Sequence, residues 1–191
     1  SAFMQGLSDL YFVLPYTIGD YLAHDIRTGR ISTETPEFEK AEKEVKERID
    51  FFVNNKGTHS VDYYHKKLGN IMWNKCGMSR NEQGLKEAIA EIKELREDFW
   101  KNVTVPGGAN EMNPELEKAG RVADFLELGE LFAKDALDRT ESCGGHFREE
   151  SVELDGPQKG EAKRDDVNFT YVSAWEYKGE PADAVLHKEH L

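Results

Sequence analysis

The stretch Asn113-Pro-Glu-Leu-Glu-Lys-Ala-Gly-Arg-Val-Ala-Asp-Phe-Leu-Glu-Leu-Gly-Glu-Leu-Phe-Ala-Lys-Asp-Ala-Leu-Asp138 predicts the longest helix of this 191-residue chain. Asn113-Pro114 is typical of a helix start, because proline fits into the first turn of a helix. Apolar residues then recur every three or four positions and form one stripe that we expect to face a core. These residues are Leu116, Ala119, Val122, Ala123, Leu126, Leu131, Phe132 and Ala136. At ~1.5 Å per residue the helix is ~37 Å long.

Three further helical patterns precede this one. We expect the first to start at Thr35-Pro36, the second near Ser60, and the third at a capping box formed by Ser79 and Glu82. Their apolar stripes are Phe38, Ala41, Val45, Ile49 and Phe52; Val61, Tyr64, Leu68, Ile71 and Met72; and Leu85, Ile89, Ile92, Leu95 and Phe99. Short connections favour antiparallel neighbours, so residues 34–140 predict a mainly α fold, an antiparallel three- to four-helix bundle of spectrin-repeat type.

The residues before and after this bundle have different patterns. Between residues 1 and 23 only Asp9 and Asp20 are charged, whereas apolar side chains crowd the segment. Such a segment either packs on the bundle or belongs to an interface. After Gly145 the helical period is lost, and 141–191 predicts a short mixed α/β tail with a strand near 167–177 and a linker at 150–163.

Composition excludes several function classes. A net charge of −12 disfavours a nucleic-acid partner, which needs a basic surface, and direct binding to anionic lipid. No Gly-x-Gly-x-x-Gly or Gly-x-x-x-x-Gly-Lys occurs, so a nucleotide cradle is not encoded. Cys143 and His146 have metal-like spacing but lack further ligands, and no Glu-x-x-His is present, so we expect no metal. The two cysteines, Cys76 and Cys143, fit a reducing compartment.

The stretch Arg139-Thr-Glu-Ser-Cys-Gly-Gly-His-Phe-Arg148 places charged residues around a glycine pair directly after the longest helix. From the residues alone, it is a helix end followed by a glycine turn, in which Arg139 and Arg148 pair with Glu141, Glu149 or Asp165. The alternative is that this turn docks the bundle onto another domain.

This stretch, continued by Arg164-Asp-Asp-Val-Asn168, resembles a signature of the flavoprotein subunit of succinate dehydrogenase and fumarate reductase, R-x-E-S-R-G-x-H-x-R followed by R-D-D-x-N. The matching residues are Arg139, Glu141, Ser142, Gly144, His146, Arg148, Arg164, Asp165, Asp166 and Asn168. Cys143 departs from the pattern, which has arginine there. The segments 1–20 and Cys76-Gly-Met-Ser-Arg80 also resemble this family.

The resemblance implies that 1–27 is the terminal helix of a truncated FAD-binding domain. Ser1, Ala2 and Phe3 would then pass beside the flavin, mostly through backbone groups, and the catalytic residues would lie upstream, with none in this chain. Arg139, Glu141, Ser142, His146 and Arg148 would form a domain-docking motif, with the partners of His146 mostly in the flavin domain.

The resemblance further implies a parent enzyme that interconverts succinate and fumarate with FAD, while this chain alone binds no cofactor and is inactive. Expected partners are the upstream FAD-binding domain, an iron–sulfur subunit and a membrane-anchor subunit, at the cytoplasmic inner face of the cell membrane. Self-association through 1–27 is a further expectation. The alternatives are a free-standing helical interaction module and the equivalent domain of an L-aspartate oxidase.

Overall fold

The structure is a computed structural model that describes residues 2–191, apart from the side chain of Ile26. The chain divides into two compact units, of which the first ends at Val45 and the second runs from Lys46 to Leu191. No helix among the described residues is both long and apolar enough to cross a bilayer.

The first unit begins with an almost continuous helical segment. Helices α1 (Ala2–Ser8) and α2 (Leu14–Tyr16) alternate with π-helical turns at Asp9–Val13 and Thr17–Tyr21. Pro15 interrupts the regular hydrogen-bond ladder because it has no backbone N–H, and the wider turns lie on either side of it. None of the described side chains of α1, α2 and these turns is buried. A 3₁₀ turn at Asp25–Arg27 ends the segment.

Four long helices follow: α3 (Pro36–Asn54), α4 (Val61–Lys75), α5 (Glu82–Asn102) and α6 (Pro114–Asp138). The predicted starts of α4 and α6 are confirmed, and at each start a side chain caps the helix: Ser60 accepts from the N–H of Tyr63, and Asn113 accepts from the N–H of Leu116. The capping box predicted at Ser79 is wrong. Asn81 caps α5 instead: its side chain accepts from the N–H of Gly84, whereas Ser79 belongs to a short strand and pairs with Phe147.

The core lies among α4, α5 and α6 and the last turn of α3. Its buried members include Phe52, Val61, Tyr64, Leu68, Leu85, Ile92, Phe99, Val122, Leu126 and Ala133. An aromatic cluster joins the helices: Phe52 stacks on Trp100 at 5.5 Å, and Tyr64 meets the edge of Phe99 at 5.2 Å. The mainly α bundle is therefore confirmed.

The helix stripes predict burial less well at two places. Phe38 and Val45 in the first half of α3 are exposed, and only Ile49 and Phe52 near its end are covered. Phe132 of α6, predicted to face inward, is also exposed, and the guanidinium of Arg80 lies 5.0 Å from the centre of its ring. Periodicity marks which face is apolar but not whether another element covers it.

Short strands connect the helix ends. Strand β1 (His59–Ser60) pairs in parallel with β3 (Val103–Thr104), and β2 (Ser79–Arg80) pairs in parallel with β4 (Phe147–Arg148). The second pair brings the start of α5 against the segment that follows α6. Gly57 permits the first pair, since a Cβ there would lie 1.9 Å from the carbonyl oxygen of Asn102.

The tail is more ordered than the sequence predicts. The strand predicted near 167–177 is confirmed only from Tyr171 onwards, as β5 (Tyr171–Glu176), because Asp166–Phe169 form one helical turn, α7, instead. Strand β5 pairs antiparallel with β6 (Val185–His190). The predicted linker at 150–163 instead folds back on itself, with Val152 bridged to Ala162. Backbone N–H and C=O groups in these pairs bind one another, although the polar sequence of this region predicts that they bind water.

Candidate functional site

A tight hairpin turn stands at the end of α6. Cys143 and His146 exchange two backbone hydrogen bonds, of 2.8 and 3.0 Å, around Gly144 and Gly145. Gly144 has a φ of +59°, and a glycine at the first central position is what a two-residue turn of this hand requires. Both glycines are exposed, so the tip of the turn faces solvent while its two arms reach into the protein.

Arg148, which follows the turn, is buried and closes the C-terminal end of α6. Its Nη1 donates to the carbonyl oxygens of Ala136 at 3.0 Å, Leu137 at 3.3 Å and Arg139 at 3.4 Å. Its Nε donates to Glu150 at 3.1 Å. The last carbonyls of a helix have no partner within the helix, and a cation there also complements the helix dipole. Arg148 therefore acts as a side-chain cap supplied from outside the helix.

Glu141 joins the two parts of the signature. One carboxylate oxygen pairs with Arg139 at 2.5 Å, and the other accepts the backbone N–H of Asp165 at 2.8 Å. Arg139 also donates to the carbonyl oxygen of Phe169 at 3.2 Å. Because Glu141 is buried, both of its oxygens need such partners, and they hold the segment 164–169 against the end of α6.

Ser142 connects the two arms of the turn. Its buried hydroxyl accepts the backbone N–H of Arg148 at 2.8 Å and donates to the carbonyl oxygen of the same residue at 3.2 Å. The backbone N–H of Ser142 donates to the carbonyl oxygen of Lys163 at 2.9 Å. The hydroxyl of Ser142 thus satisfies the backbone N–H and the carbonyl oxygen of Arg148, which a neighbouring strand would otherwise bind.

His146 is held in one tautomer. Arg80, which can only donate, lies 2.8 Å from Nδ1, so Nδ1 accepts and Nε2 carries the hydrogen that it donates to the carbonyl oxygen of Arg139 at 2.7 Å. Burial, followed by the charges of Arg80, Arg148 and Arg139, lowers the pKa of His146, although the Nε2 hydrogen bond opposes this. The ring is therefore neutral and positions the chain. The expectation that its partners lie in another domain is wrong.

The sequence predicts a helix end followed by a glycine turn with paired charges, and the structure has such pairs, but Arg148 has a different partner from those predicted. Arg139 pairs with Glu141 as expected, but Arg148 pairs with Glu150 rather than Glu149 or Asp165. Glu149 instead accepts from the side chains of Ser79 and Asn81. Sequence reasoning missed Arg80 as a member of this site. The resemblance around Cys76–Arg80 was a signal, but nothing local indicates a contact with a residue 66 positions away.

The other predicted site residues lie apart from this turn in the sequence. Ala2 and Phe3 are exposed in α1, and Ser1 lies outside the described residues. Cys76 and Cys143 are free thiols, and burial raises the pKa of Cys76. Within residues 2–191, no group of three or more His, Cys, Asp or Glu residues is arranged to hold a metal ion. The side chains at the turn therefore hold backbone segments in place and pair charges with one another.

Fold and site together define a helical-bundle domain whose longest helix is closed by an arginine- and histidine-containing turn. Residues 65–191 match the family described as "Fumarate reductase flavoprotein C-term", and the chain belongs to this family. The family resemblance found in the sequence is thereby confirmed.

The relatives agree with this assignment. The fumarate reductase flavoprotein subunit of Helicobacter pylori is 33% identical over 146 residues, 76% of this chain and 20% of that protein. A solved structure titled "Quinol-Fumarate Reductase with Menaquinol Molecules" has a TM-score of 0.66 and 26% identity, covering 86% of this chain and 26% of that one. An L-aspartate oxidase of a Nostoc species is 28% identical over 95 residues, 44% of this chain and 16% of that protein. The chain spans about a fifth of the length of the first two curated relatives it matches.

Proposed function

We propose that this chain is the C-terminal helical region of an FAD-dependent enzyme that interconverts succinate and fumarate. The observation that carries the proposal is the family match over residues 65–191, which includes the complete turn from Arg139 to Arg148. In this proposal FAD supplies the redox chemistry and is bound by a region upstream. The catalytic residues also belong to that region, with none in this chain.

The role of this chain is to support the flavin-binding region and the assembly of the complex. Arg139, Glu141, Ser142, His146 and Arg148 give the turn one conformation, because each has partners within the protein. The motif would then dock through the exposed tip of this rigid turn. A surface held in one conformation loses little entropy on binding, which favours a permanent contact between domains.

The first residues would lie near the cofactor. Ala2 and Phe3, together with Ser1, would pass beside the flavin and contact it mostly through backbone groups. The exposure of the apolar side chains from Phe3 to Tyr21 supports a role for this segment in contacts beyond itself, since large exposed apolar surfaces mark interfaces.

The proposed partners are the upstream FAD-binding domain, an iron–sulfur subunit and a membrane-anchor subunit. The proposed location is the cytoplasmic side of the cell membrane, where the protein is peripheral. The net charge of −12 supports attachment through another subunit, because anionic lipid headgroups would repel this surface.

Two alternative functions have less support. The match to an L-aspartate oxidase covers a smaller part of the chain than the match to the fumarate reductase subunit, which favours the latter. A free-standing interaction module is disfavoured by membership of a flavoprotein family. Substrate assays separate these possibilities: the flavoprotein containing this chain should oxidise reduced viologen with fumarate and should not oxidise L-aspartate as an oxidase does.

The chain alone provides the complementary test. After incubation with FAD and removal of excess, it should retain no stoichiometric flavin absorbance, and fumarate should not accelerate viologen oxidation above a blank. The flavoprotein that contains both regions should do both. Stoichiometric yellow colour or fumarate-dependent oxidation by the chain alone would refute the assignment of the cofactor site to another region.

A further inference from the structure

An apolar groove runs along the second unit between α4 and α6. It has a volume of about 260 Å³ and is lined mainly by Leu68, Gly69, Met72, Phe125, Leu128 and Phe132. Leu128 is 60% exposed, and Phe125 and Phe132 are 40% and 44% exposed. Single exposed apolar residues are common on protein surfaces, but three large apolar side chains next to each other on one helix face form a patch that is typical of an interaction site.

Two glycines, Gly69 and Gly129, line this groove. A Cβ at Gly129 would lie 3.3 Å from Leu68 and 3.4 Å from Met72, so close packing of α4 on α6 accounts for it. A Cβ at Gly69 would meet nothing within 4 Å. Glycine inside an exposed helix costs stability relative to alanine. Because Gly69 lines the groove and carries no Cβ, a second molecule or domain in the groove can approach the backbone of α4 closely.

Arg80 lies at one end of the groove, with its guanidinium 5.0 Å from the ring centre of Phe132. Its Nε donates to the carbonyl oxygen of Gly77 at 2.8 Å, and its Nη1 contacts His146, a neutral group. Among residues 2–191, no carboxylate forms an ion pair with it. Burial, and then the charge of Arg148, lowers the pKa of Arg80, although Cys76 opposes this. A half-buried cation without a counter-charge is costly, and its free N–H groups can bind a carboxylate in bidentate fashion.

We propose that this groove is the docking site for a protein segment that carries a carboxylate next to apolar side chains, contributed by the flavin-binding region. The apolar groups lie on Leu68, Met72, Phe125 and Leu128, the segment approaches Gly69 closely, and the carboxylate pairs with Arg80. This inference rests on the proposed function, and it adds the surface and the chemistry of the contact.

The test uses the full-length flavoprotein subunit with Gly69→Leu and, as a matched control, Gly120→Leu. Both glycines are helical, and a Cβ at either would meet nothing within 4 Å, but only Gly69 lines the groove. Leucine is a better helix former than glycine, so neither change should unfold the bundle. Gly69→Leu should lower the FAD retained per polypeptide and remove the protection of Met72 from hydroxyl-radical oxidation, whereas Gly120→Leu should change neither.

The charge of the docked segment is tested at Leu128. Leu128→Asp should reduce FAD retention more than Leu128→Lys, because an added carboxylate repels the incoming one and an added ammonium attracts it. Leu154→Asp, at a residue that is 69% exposed and outside the groove, is the control and should match the unchanged protein. The opposite order of the two Leu128 variants would overturn the proposed carboxylate.

A deletion separates this inference from the proposed function. If the subunit without residues 46–191 keeps its FAD and its fumarate reduction, the proposed role of this chain in supporting the flavin-binding region fails. If the deletion abolishes both while Gly69→Leu behaves like Gly120→Leu, and Met72 is as accessible in the subunit as in the chain alone, only the groove is wrong.

Discussion

Replacing Arg148 with methionine should destabilise the bundle strongly. The change keeps a long side chain of similar bulk but removes the charge and all donors. Two carbonyl oxygens at the end of α6, those of Ala136 and Leu137, then lose the donor that serves them, whereas the carbonyl oxygen of Arg139 keeps the hydrogen bond from His146 Nε2. The side chain is buried, so water cannot replace it without opening the turn.

The size of the effect follows from the geometry. A hydrogen bond that involves a charged group contributes about 1.5–3 kcal/mol, and an unsatisfied buried acceptor costs a similar amount. Only the contact with Ala136, at 3.0 Å, lies within the usual range, while the others are 3.3 and 3.4 Å long. Glu150 is half exposed, so its pair with Arg148 adds at most about 1 kcal/mol. We expect a loss of about 3 kcal/mol, or about 6–12 °C in melting temperature for a unit of this size.

Urea unfolding followed by circular dichroism at 222 nm measures this loss. Arg148→Lys should retain part of the stability, because the ammonium keeps the charge but cannot serve several acceptors in one plane. Glu150→Gln is the control for the exposed pair and should lie within about 1 kcal/mol of the native protein. If Arg148→Met is as stable as Glu150→Gln, then Arg148 does not close the helix end and the account of this site is wrong.

Three further changes test other parts of the structure. Gly144→Val should lower the free energy of unfolding by about 1–2 kcal/mol, because valine is strained at the positive φ of this residue. Gly145→Val, at a residue without a positive φ, should change it by less than about 0.5 kcal/mol in thermal melts, and equal effects of the two changes would contradict the turn geometry. Burial raises the pKa of Glu130, against the charge of Arg96, so its contribution to stability is full below pH 4.5 and is lost as pH rises through the folded-state pKa. Glu130→Gln should therefore gain on the native protein between pH 4 and 7 in urea titrations, and a difference that does not change with pH would show that burial does not govern this carboxyl. Deleting residues 1–27 should reduce self-association in sedimentation velocity and leave the bundle folded, since burial of the exposed apolar groups drives association; loss of the helical signal would assign the segment to the bundle.

The helices could be predicted because their information is local. Helices α4 and α6 start where they were predicted to start, near Ser60 and at Asn113-Pro114, and the apolar stripes of α4 and α5 lie in the core. Ser79 shows the limit of such local reasoning. It matches a capping box by spacing, but it pairs with the distant strand β4, and Asn81 then provides the cap.

The site was only partly predictable. The signature identified Arg139, Glu141, Ser142, His146 and Arg148 as a group, and all five lie together in the structure. Their partners could not be predicted, because Arg80 and the carbonyl oxygens at the end of α6 are not marked by residue type. A backbone carbonyl has the same identity everywhere in the sequence, and only the fold decides which ones remain without a donor.

The sequence by itself determined the helical class of this protein, the positions of most helix starts and its family, because periodicity, caps and a specific motif are all written in neighbouring residues. The tertiary structure alone decided the neutral tautomer of His146, the unpaired charge of Arg80 and the exposure of Phe132. These properties depend on burial and on hydrogen-bond partners brought together from distant positions, and electrostatic and packing energies act on distances in space rather than along the chain.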